Sequence, residues 1–231
     1  MKIGIIGAMD EEVALLKSSI KGIEEHEKAG CLFYSGELKG HQVIVLKSGI
    51  GKVNAAMATT LLINAFEPEV IINTGSAGGF NEQLNVGDIV ISTEIVHHDV
   101  DVTAFDYAYG QVPGMPATFK ADKHLREVAV NSAKNMIDAR VVEGLIATGD
   151  SFMSDLDRVK VIKQIFPELQ CGEMEAAAIA QVSYQFHVPF VIIRSLSDIA
   201  GKDASVSFDE FLETAATNSG KLILSMLEEL K

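Results

Sequence analysis

The sequence predicts an α/β fold in which helices cover both faces of a layered sheet. Three observations carry this expectation. Short β-branched runs such as Val43-Ile-Val-Leu46, Val70-Ile-Ile72 and Phe190-Val-Ile-Ile193 show no polar alternation, as strands buried on both faces do. Between them lie stretches with apolar residues at helical spacing, so strands and helices alternate along the chain. Five prolines, no Ser/Gly- or Pro-rich tract and no internal repeat leave no linker, so residues 1–231 read as one domain.

Lys2 to Ala8 is the first strand, followed by a helix from Glu11 with Val13, Leu15, Leu16 and Ile20 on one side. Residues 31–38 and 41–47 form a hairpin across Lys39-Gly40. Gly49-Ile-Gly51 opens a helix carrying Val53, Met57, Leu61 and Leu62. The strand from Val70 to Asn73 ends in Thr74-Gly-Ser-Ala-Gly-Gly79, and a strand at 88–95 precedes an irregular stretch, 97–120. A helix at 122–137, a strand at 141–147 and helices near 155–165 and from Glu175 follow. The last strand starts at Phe190, and 208–230 is a terminal helix. Ligands in such folds bind beyond the carboxyl ends of strands. That rule selects residues 8–12, 48–51, 74–79, 149–153, 172–175 and 194–198.

Composition excludes several partners. The formal charge of −13 argues against nucleic acid, whose binding rests on neutralising phosphate with Lys and Arg. No apolar stretch approaches the ~18–20 residues that span a bilayer. The apolar segment from Ile3 to Met9 is too short, and too acidic at its exit, for a signal peptide. Cys31 and Cys171 form neither a disulfide framework nor a zinc motif. A cytoplasmic protein with no membrane partner is expected.

Two familiar phosphate motifs fail. Gly4-Ile-Ile-Gly7 lacks the glycine pair of G-x-G-x-x-G and runs into Asp10-Glu11-Glu12, where a phosphate would sit. Ser48-Gly-Ile-Gly-Lys52 resembles part of a P-loop, but Val53 replaces the Mg²⁺-binding hydroxyl and Leu46 the first glycine. In His97-His98-Asp99-x-Asp101 the adjacent histidines point to opposite faces of an extended segment, which favours a hydrogen-bonded loop over a metal site.

Acidic residues remain at the strand exits: Glu12, then Glu173 and Glu175 around Met174, then Asp198. An acid in a first helical turn is ordinary dipole complementation. Several carboxylates converging on one rim with a single Arg repel one another unless a cationic ligand or transition state neutralises them. Cleavage of a glycosidic bond passes through such an oxocarbenium-like state, with carboxyl groups as acid and base.

Gly4-x-x-Gly7-Ala-Met-Asp-Glu-Glu12, Lys47-Ser-Gly-Ile-Gly-Lys-Val53, Asn73-Thr-Gly-Ser-Ala-Gly-Gly79, Gly172-Glu-Met-Glu-Ala-Ala177 and Ser197-Asp198 resemble, in order and over the whole chain, the bacterial 5′-methylthioadenosine/S-adenosylhomocysteine nucleosidases. The resemblance implies a nucleoside phosphorylase/hydrolase-like fold, a single three-layer α/β/α domain with a mixed central sheet. It also implies a homodimer with shared active sites and no metal or organic cofactor. The implied reaction is hydrolysis of the N-glycosidic bond of both nucleosides.

By that resemblance Glu12 matches the base that activates water and Asp198 the acid that protonates adenine N7. Glu175 matches the residue that grips the ribose hydroxyls, with Met174 beside it. Ser76, Gly78 and Arg194 fall on the ribose and water site, and Phe152 and Met153 on the adenine site, Met153 through its backbone. Met9, Ile50 and Phe208 match the 5′-alkylthio pocket. Val102, Phe105 and Pro113 match the part of that pocket supplied by the neighbouring subunit. Two positions depart from the family pattern: Met153 replaces isoleucine and Asp106 replaces glycine. A purine nucleoside phosphorylase, a futalosine-type nucleosidase and a non-catalytic nucleoside binder are the rival readings. Against the first, no arginine lies between Met1 and Ser76, where phosphorylases of this fold hold their anion.

Overall fold

The structure is a computed structural model describing residues 1–134, 136, 139–201 and 204–230. From the N-terminus the chain runs β1 (Lys2–Gly7), α1 (Asp10–Ser19), β2 (Lys21–Lys28), β3 (Cys31–Leu38), β4 (His41–Lys47), α2 (Lys52–Phe66) and β5 (Val70–Gly79). It continues through β6 (Ile89–His97), a 3₁₀ turn at Thr103–Phe105, β7 (Phe119–Lys120), α3 (Lys123–Ala133) and β8 (Val141–Thr148). The last third holds α4 (Leu156–Ile165), β9 (Leu169–Glu173), α5 (Ala176–Gln185), β10 (Phe190–Ile199) and α6 (Ala204–Glu229). No helix among the described residues is long and apolar enough to cross a membrane.

The sheet is mixed, in the order β10-β6-β8-β9-β5-β1-β4-β3-β2. β1 lies parallel between β4 and β5, and its Ile3, Ile5 and Ile6 are fully buried, which is why this strand reads as an uninterrupted apolar run. The β3–β4 hairpin turns at Lys39-Gly40, both with positive φ, as a two-residue turn requires. β10 pairs parallel with β5 on one side and antiparallel with β6 on the other. Because β6, β8, β9 and β5 are also paired in succession, these five strands close into a ring. Helix α2 packs with α5, and α1 and α3 pack with α6, so the apolar sheet is covered by helices as expected.

Several boundaries differ from the sequence expectation. β2 is absent from the sequence expectation because all eight of its residues are exposed and KGIEEHEK carries no buried face. β9 is five residues with only Leu169, Cys171, Gly172 and Glu173 buried, too short to register as a run. Thr74–Gly79 and Arg194–Asp198 are not loops after strands but the far ends of β5 and β10, which support each other through direct pairing. α6 begins at Ala204, not 208, and the helix expected at 122–137 spans 123–133. Residues 135 and 137 of that helix lie outside the described residues.

Candidate active site

A cavity of about 330 Å³ opens where the ends of β5, β9 and β10 meet the N-termini of α1 and α6. It is lined by Met9, Glu12, Ile50, Ser76, Gly78, Phe152, Met174, Glu175, Asp198 and Phe208, ten of the residues singled out in the sequence. Ala8, Ala77, Gly172, Glu173, Ser197, Ser205 and Asp209 complete it.

Glu12 is the third residue of α1, and its carboxylate folds back over the helix start. Oε2 accepts from the Ala8 N–H at 2.7 Å and the Met9 N–H at 3.2 Å, half of a capping box. Oε1 accepts from the Ser76 N–H at 2.9 Å and the Ser76 hydroxyl at 3.1 Å. Four donors fix this buried carboxylate as an acceptor. Its neighbour Asp10 instead pairs at the surface with Lys47 at 2.9 Å. The acidic turn therefore sends only one of its three charges inward.

Arg194 does not line the cavity, contrary to expectation. It is buried below the floor, where Nη2 donates to Asn73 Oδ1 at 2.8 Å and to Glu173 Oε2 at 2.5 Å, and Nη1 to the Ser76 carbonyl at 3.3 Å. Glu173 also accepts from the Thr148 hydroxyl and from the N–H groups of Glu175 and Ala176 at 2.9 and 2.8 Å. Glu175, at the N-cap of α5, takes the Gly51 N–H at 2.8 Å and lies 3.5 Å from Arg194 Nη2. Burial, and then the neighbouring Glu173 charge, push the Glu175 carboxyl well above the usual range.

Asp198 owes its place to a β-bulge. The β5–β10 register steps from Leu196 opposite Ala77 to Asp198 opposite Gly78, leaving Ser197 as the extra residue. A side chain on Gly78 would place its Cβ 3.0 Å from Asp198 Oδ2, so a glycine there leaves room for the carboxyl. Ser197 donates its hydroxyl to Oδ1 at 2.9 Å. Burial nonetheless dominates and raises the Asp198 carboxyl to about 6.

The open side is apolar. Phe152 meets Phe208 edge to face, with centroids 5.8 Å apart, and Ile50 is half exposed across from them. Met153 is not among the lining residues: it is buried in a small apolar cluster with Val159 and Ile162 of α4, and its carbonyl accepts from the Gly201 N–H at 2.9 Å. Val102, Phe105 and Pro113 do not reach this cavity either, and Phe105 is 75% exposed. Asp106 takes a left-handed conformation, φ 62°, which explains why glycine suits that position and shows how Asp can serve. Sequence reasoning missed Ser205 and Asp209. Ser205 lies three residues before Phe208 and four before Asp209, and that helical spacing was the available signal. Asn73 and Thr148, which hold Arg194 and Glu173, carried no such signal beyond their place in or near a motif.

Five carboxyl groups thus line a cavity with an apolar mouth, with one guanidinium beneath them; the Glu12 carboxylate accepts from four donors and the Asp198 carboxyl is raised to about 6. Such a site can donate a proton, accept one, and stabilise positive charge between them. Among the described residues no group of three or more His, Cys, Asp and Glu is arranged to hold a metal ion.

Residues 2–228 match the model of the phosphorylase superfamily. The chain is 62% identical to a 5′-methylthioadenosine/S-adenosylhomocysteine nucleosidase of Anoxybacillus flavithermus, covering 100% of this chain and 99% of that one. It superposes with a TM-score of 0.98 on such a nucleosidase from Colwellia psychrerythraea in complex with adenine, 50% identical over 100% of this chain and 96% of the other. A futalosine hydrolase of Helicobacter pylori is 36% identical with a TM-score of 0.93, over 100% and 98% of the two chains.

Proposed function

Because the chain belongs to the phosphorylase superfamily and, within it, to the 5′-methylthioadenosine/S-adenosylhomocysteine nucleosidases, we propose that it hydrolyses the N-glycosidic bond of both nucleosides, and of 5′-deoxyadenosine, releasing adenine and the 5′-substituted ribose. The 231 residues act as a single nucleosidase domain, and the reaction serves methionine salvage.

The observation that carries this reading is the contrast between Glu12 and Asp198. Adenine leaves poorly as an anion, so N7 must be protonated as the C1′–N9 bond breaks. A carboxyl raised to about 6 supplies that proton near neutral pH. Ser197 engages Oδ1, which leaves Oδ2 to carry it. Glu12, with its carboxylate already held by four donors, accepts a proton from the water that attacks C1′. Glu175 faces the ribose hydroxyls and favours positive charge on the sugar ring. Ser76, Gly78 and Met174 wall the ribose, Phe152 stacks on adenine, and the Met153 backbone borders it. Arg194 acts from below, as the counter-ion that keeps Glu173 and Glu175 together. Met9, Ile50 and Phe208 receive the 5′-alkylthio group and supply binding energy remote from the reacting bond.

Water is the nucleophile. Two unit charges ~4 Å apart repel by ~4 kcal/mol at an effective dielectric of 20, so phosphate beside Glu12 binds poorly. A non-catalytic binder has no use for a proton donor at N7.

The active unit is a homodimer. Val102, Phe105 and Pro113 lie on an apolar-studded surface stretch and complete the partner's alkylthio pocket, and Val53 and Met57 expose further apolar surface on α2. Two buried free thiols, Cys31 and Cys171, suit the reducing cytoplasm.

The test is adenine release from a nucleoside panel in phosphate-free buffer. Cleavage of methylthioadenosine, S-adenosylhomocysteine and 5′-deoxyadenosine is expected. Cleavage of a futalosine-type nucleoside alone would give the reaction to that rival.

A further inference from the structure

Two sequence features remain outside the mechanism: the lysine of the incomplete P-loop and the aspartate of the His97-His98-Asp99 segment. The fold brings them together. Lys52 Nζ donates to Asp99 Oδ1 at 2.6 Å, and both side chains are four-fifths buried. Asp99 Oδ2 accepts from the Asp150 N–H at 3.0 Å, and Asp150 Oδ1 accepts from the Lys52 N–H at 2.8 Å. Three loops, those after β4, β6 and β8, are therefore closed into one cycle of hydrogen bonds.

Two of the three loops border the cavity. Ile50 lies two residues before Lys52 and Phe152 two residues after Asp150, on the lining. Gly51, between Ile50 and Lys52, donates its N–H to Glu175 Oε1 at 2.8 Å. Its φ of 94° and the 3.1 Å from a Cβ position there to Asp150 Oδ1 show how closely the backbone of one loop approaches the side chain of the other. Beneath the cycle the His98 ring fills the space over Gly149, where any Cβ would lie 2.2 Å from the ring. The Asp99 carboxylate has no other cation within ion-pairing distance among the described residues, and Lys52 no other anion.

The geometry points to Lys52 and Asp99 as positioning residues for the nucleoside: their ion pair sets the spacing of Ile50 and Phe152 across the cavity mouth and aims the Gly51 N–H at Glu175. This inference rests on the nucleosidase reading above. Neither residue touches the cavity. Their effect falls on the binding of adenine and ribose before bond cleavage, and so on KM more than on kcat.

The experiment compares the wild-type enzyme with Asp99→Asn, Lys52→Met, the double variant and Lys52→Arg. It measures kcat and KM for methylthioadenosine, inhibition by free adenine, and thermal unfolding. Each single variant is expected to raise KM and the adenine inhibition constant together by about tenfold, with kcat within about threefold of wild type. The double variant adds little to either, because the pair acts as one unit. Lys52→Arg, which keeps the charge, stays close to wild type. Folded variants with unchanged KM and adenine inhibition would overturn the proposal, as would a fall in kcat at constant KM or failure of Lys52→Arg to rescue. If neither single variant folds, the pair is a structural staple only and the proposal also fails. Absence of adenine release by the wild-type enzyme would instead sink the nucleosidase reading itself.

Discussion

Arg194 Nη2 lies 2.5 Å from Glu173 Oε2 but 3.5 Å from Glu175 Oε2, so one nitrogen serves two carboxylates unequally. Its charge is committed mainly to Glu173, and Glu175 is left in a buried, like-charged setting that favours its protonated form until a ligand arrives. Replacing the guanidinium by an apolar chain strands three buried carboxyl groups, Glu12, Glu173 and Glu175, without their common counter-ion. Arg194→Met is expected to cost about 3–5 kcal/mol of stability, the usual penalty for breaking a buried pair. Urea denaturation at pH 7 checks this; a loss below about 1 kcal/mol contradicts it.

Asp198→Asn removes the proposed proton donor while keeping the shape of the side chain. Turnover of methylthioadenosine is expected to fall ~10²–10⁴-fold. Retention of more than a tenth of the parental kcat refutes the assignment. Stability moves the other way. The Asp198 carboxyl is raised from 3.8 to about 6 on folding, so the folded state holds its proton more tightly than the unfolded chain. The stability this contributes is complete below pH 3.8 and is lost as the pH rises to about 6. At pH 7 the variant escapes that cost and gains on the order of 2–3 kcal/mol over wild type, an advantage that shrinks as the pH falls below 6. Denaturation of both proteins at pH 5 and pH 7.5 measures the difference, and an advantage that grows toward acid would be the wrong sign.

Gly75 marks the closest packing in the site. A Cβ there would lie 2.0 Å from Arg194 Nη1 and 2.8 Å from Glu12 Oε1. Gly75→Ala displaces the Arg194 guanidinium and the Glu12 carboxylate, the proposed base, together, and kcat/KM is expected to drop about 10²-fold, as displacement of reacting groups by ~1 Å does. Near-wild-type kinetics would show that the floor of the cavity tolerates movement.

Much of this site was legible because its residues sit in contiguous motifs at strand ends. Glu12, Ser76, Glu175 and Asp198 could each be singled out by position, and the cavity unites them. The role of Arg194 was not legible. Whether an arginine faces a ligand or lies behind it depends on its side-chain hydrogen-bond partners, here Asn73 and Glu173, which are far away in sequence. β2 was invisible because an exposed edge strand of charged residues has no hydrophobic period, and β9 because five residues are too few. The ring of five strands escaped because a second pairing of β10 with β5 leaves no local trace. Between β10 and α6, Lys202 and Asp203 lie outside the described residues, and α6 begins at Ala204.

If Val102, Phe105 and Pro113 complete a partner's pocket, dilution must separate activity from fold. Sedimentation is expected to show a dimer at assay concentrations, and Phe105→Asp to raise KM for methylthioadenosine by weakening that pocket wall. A fully active monomer would defeat the shared-site proposal.

The identity of the nucleophile matters most, because the buried Glu12 held by Ala8, Met9 and Ser76 puts a carboxylate at the N-terminus of α1, where a helix start otherwise favours an anionic ligand. Product analysis with methylthioadenosine, with and without millimolar phosphate, tests it directly. Free methylthioribose and adenine at a rate independent of phosphate are the predicted result; formation of methylthioribose 1-phosphate, or adenine release that requires phosphate, would contradict it.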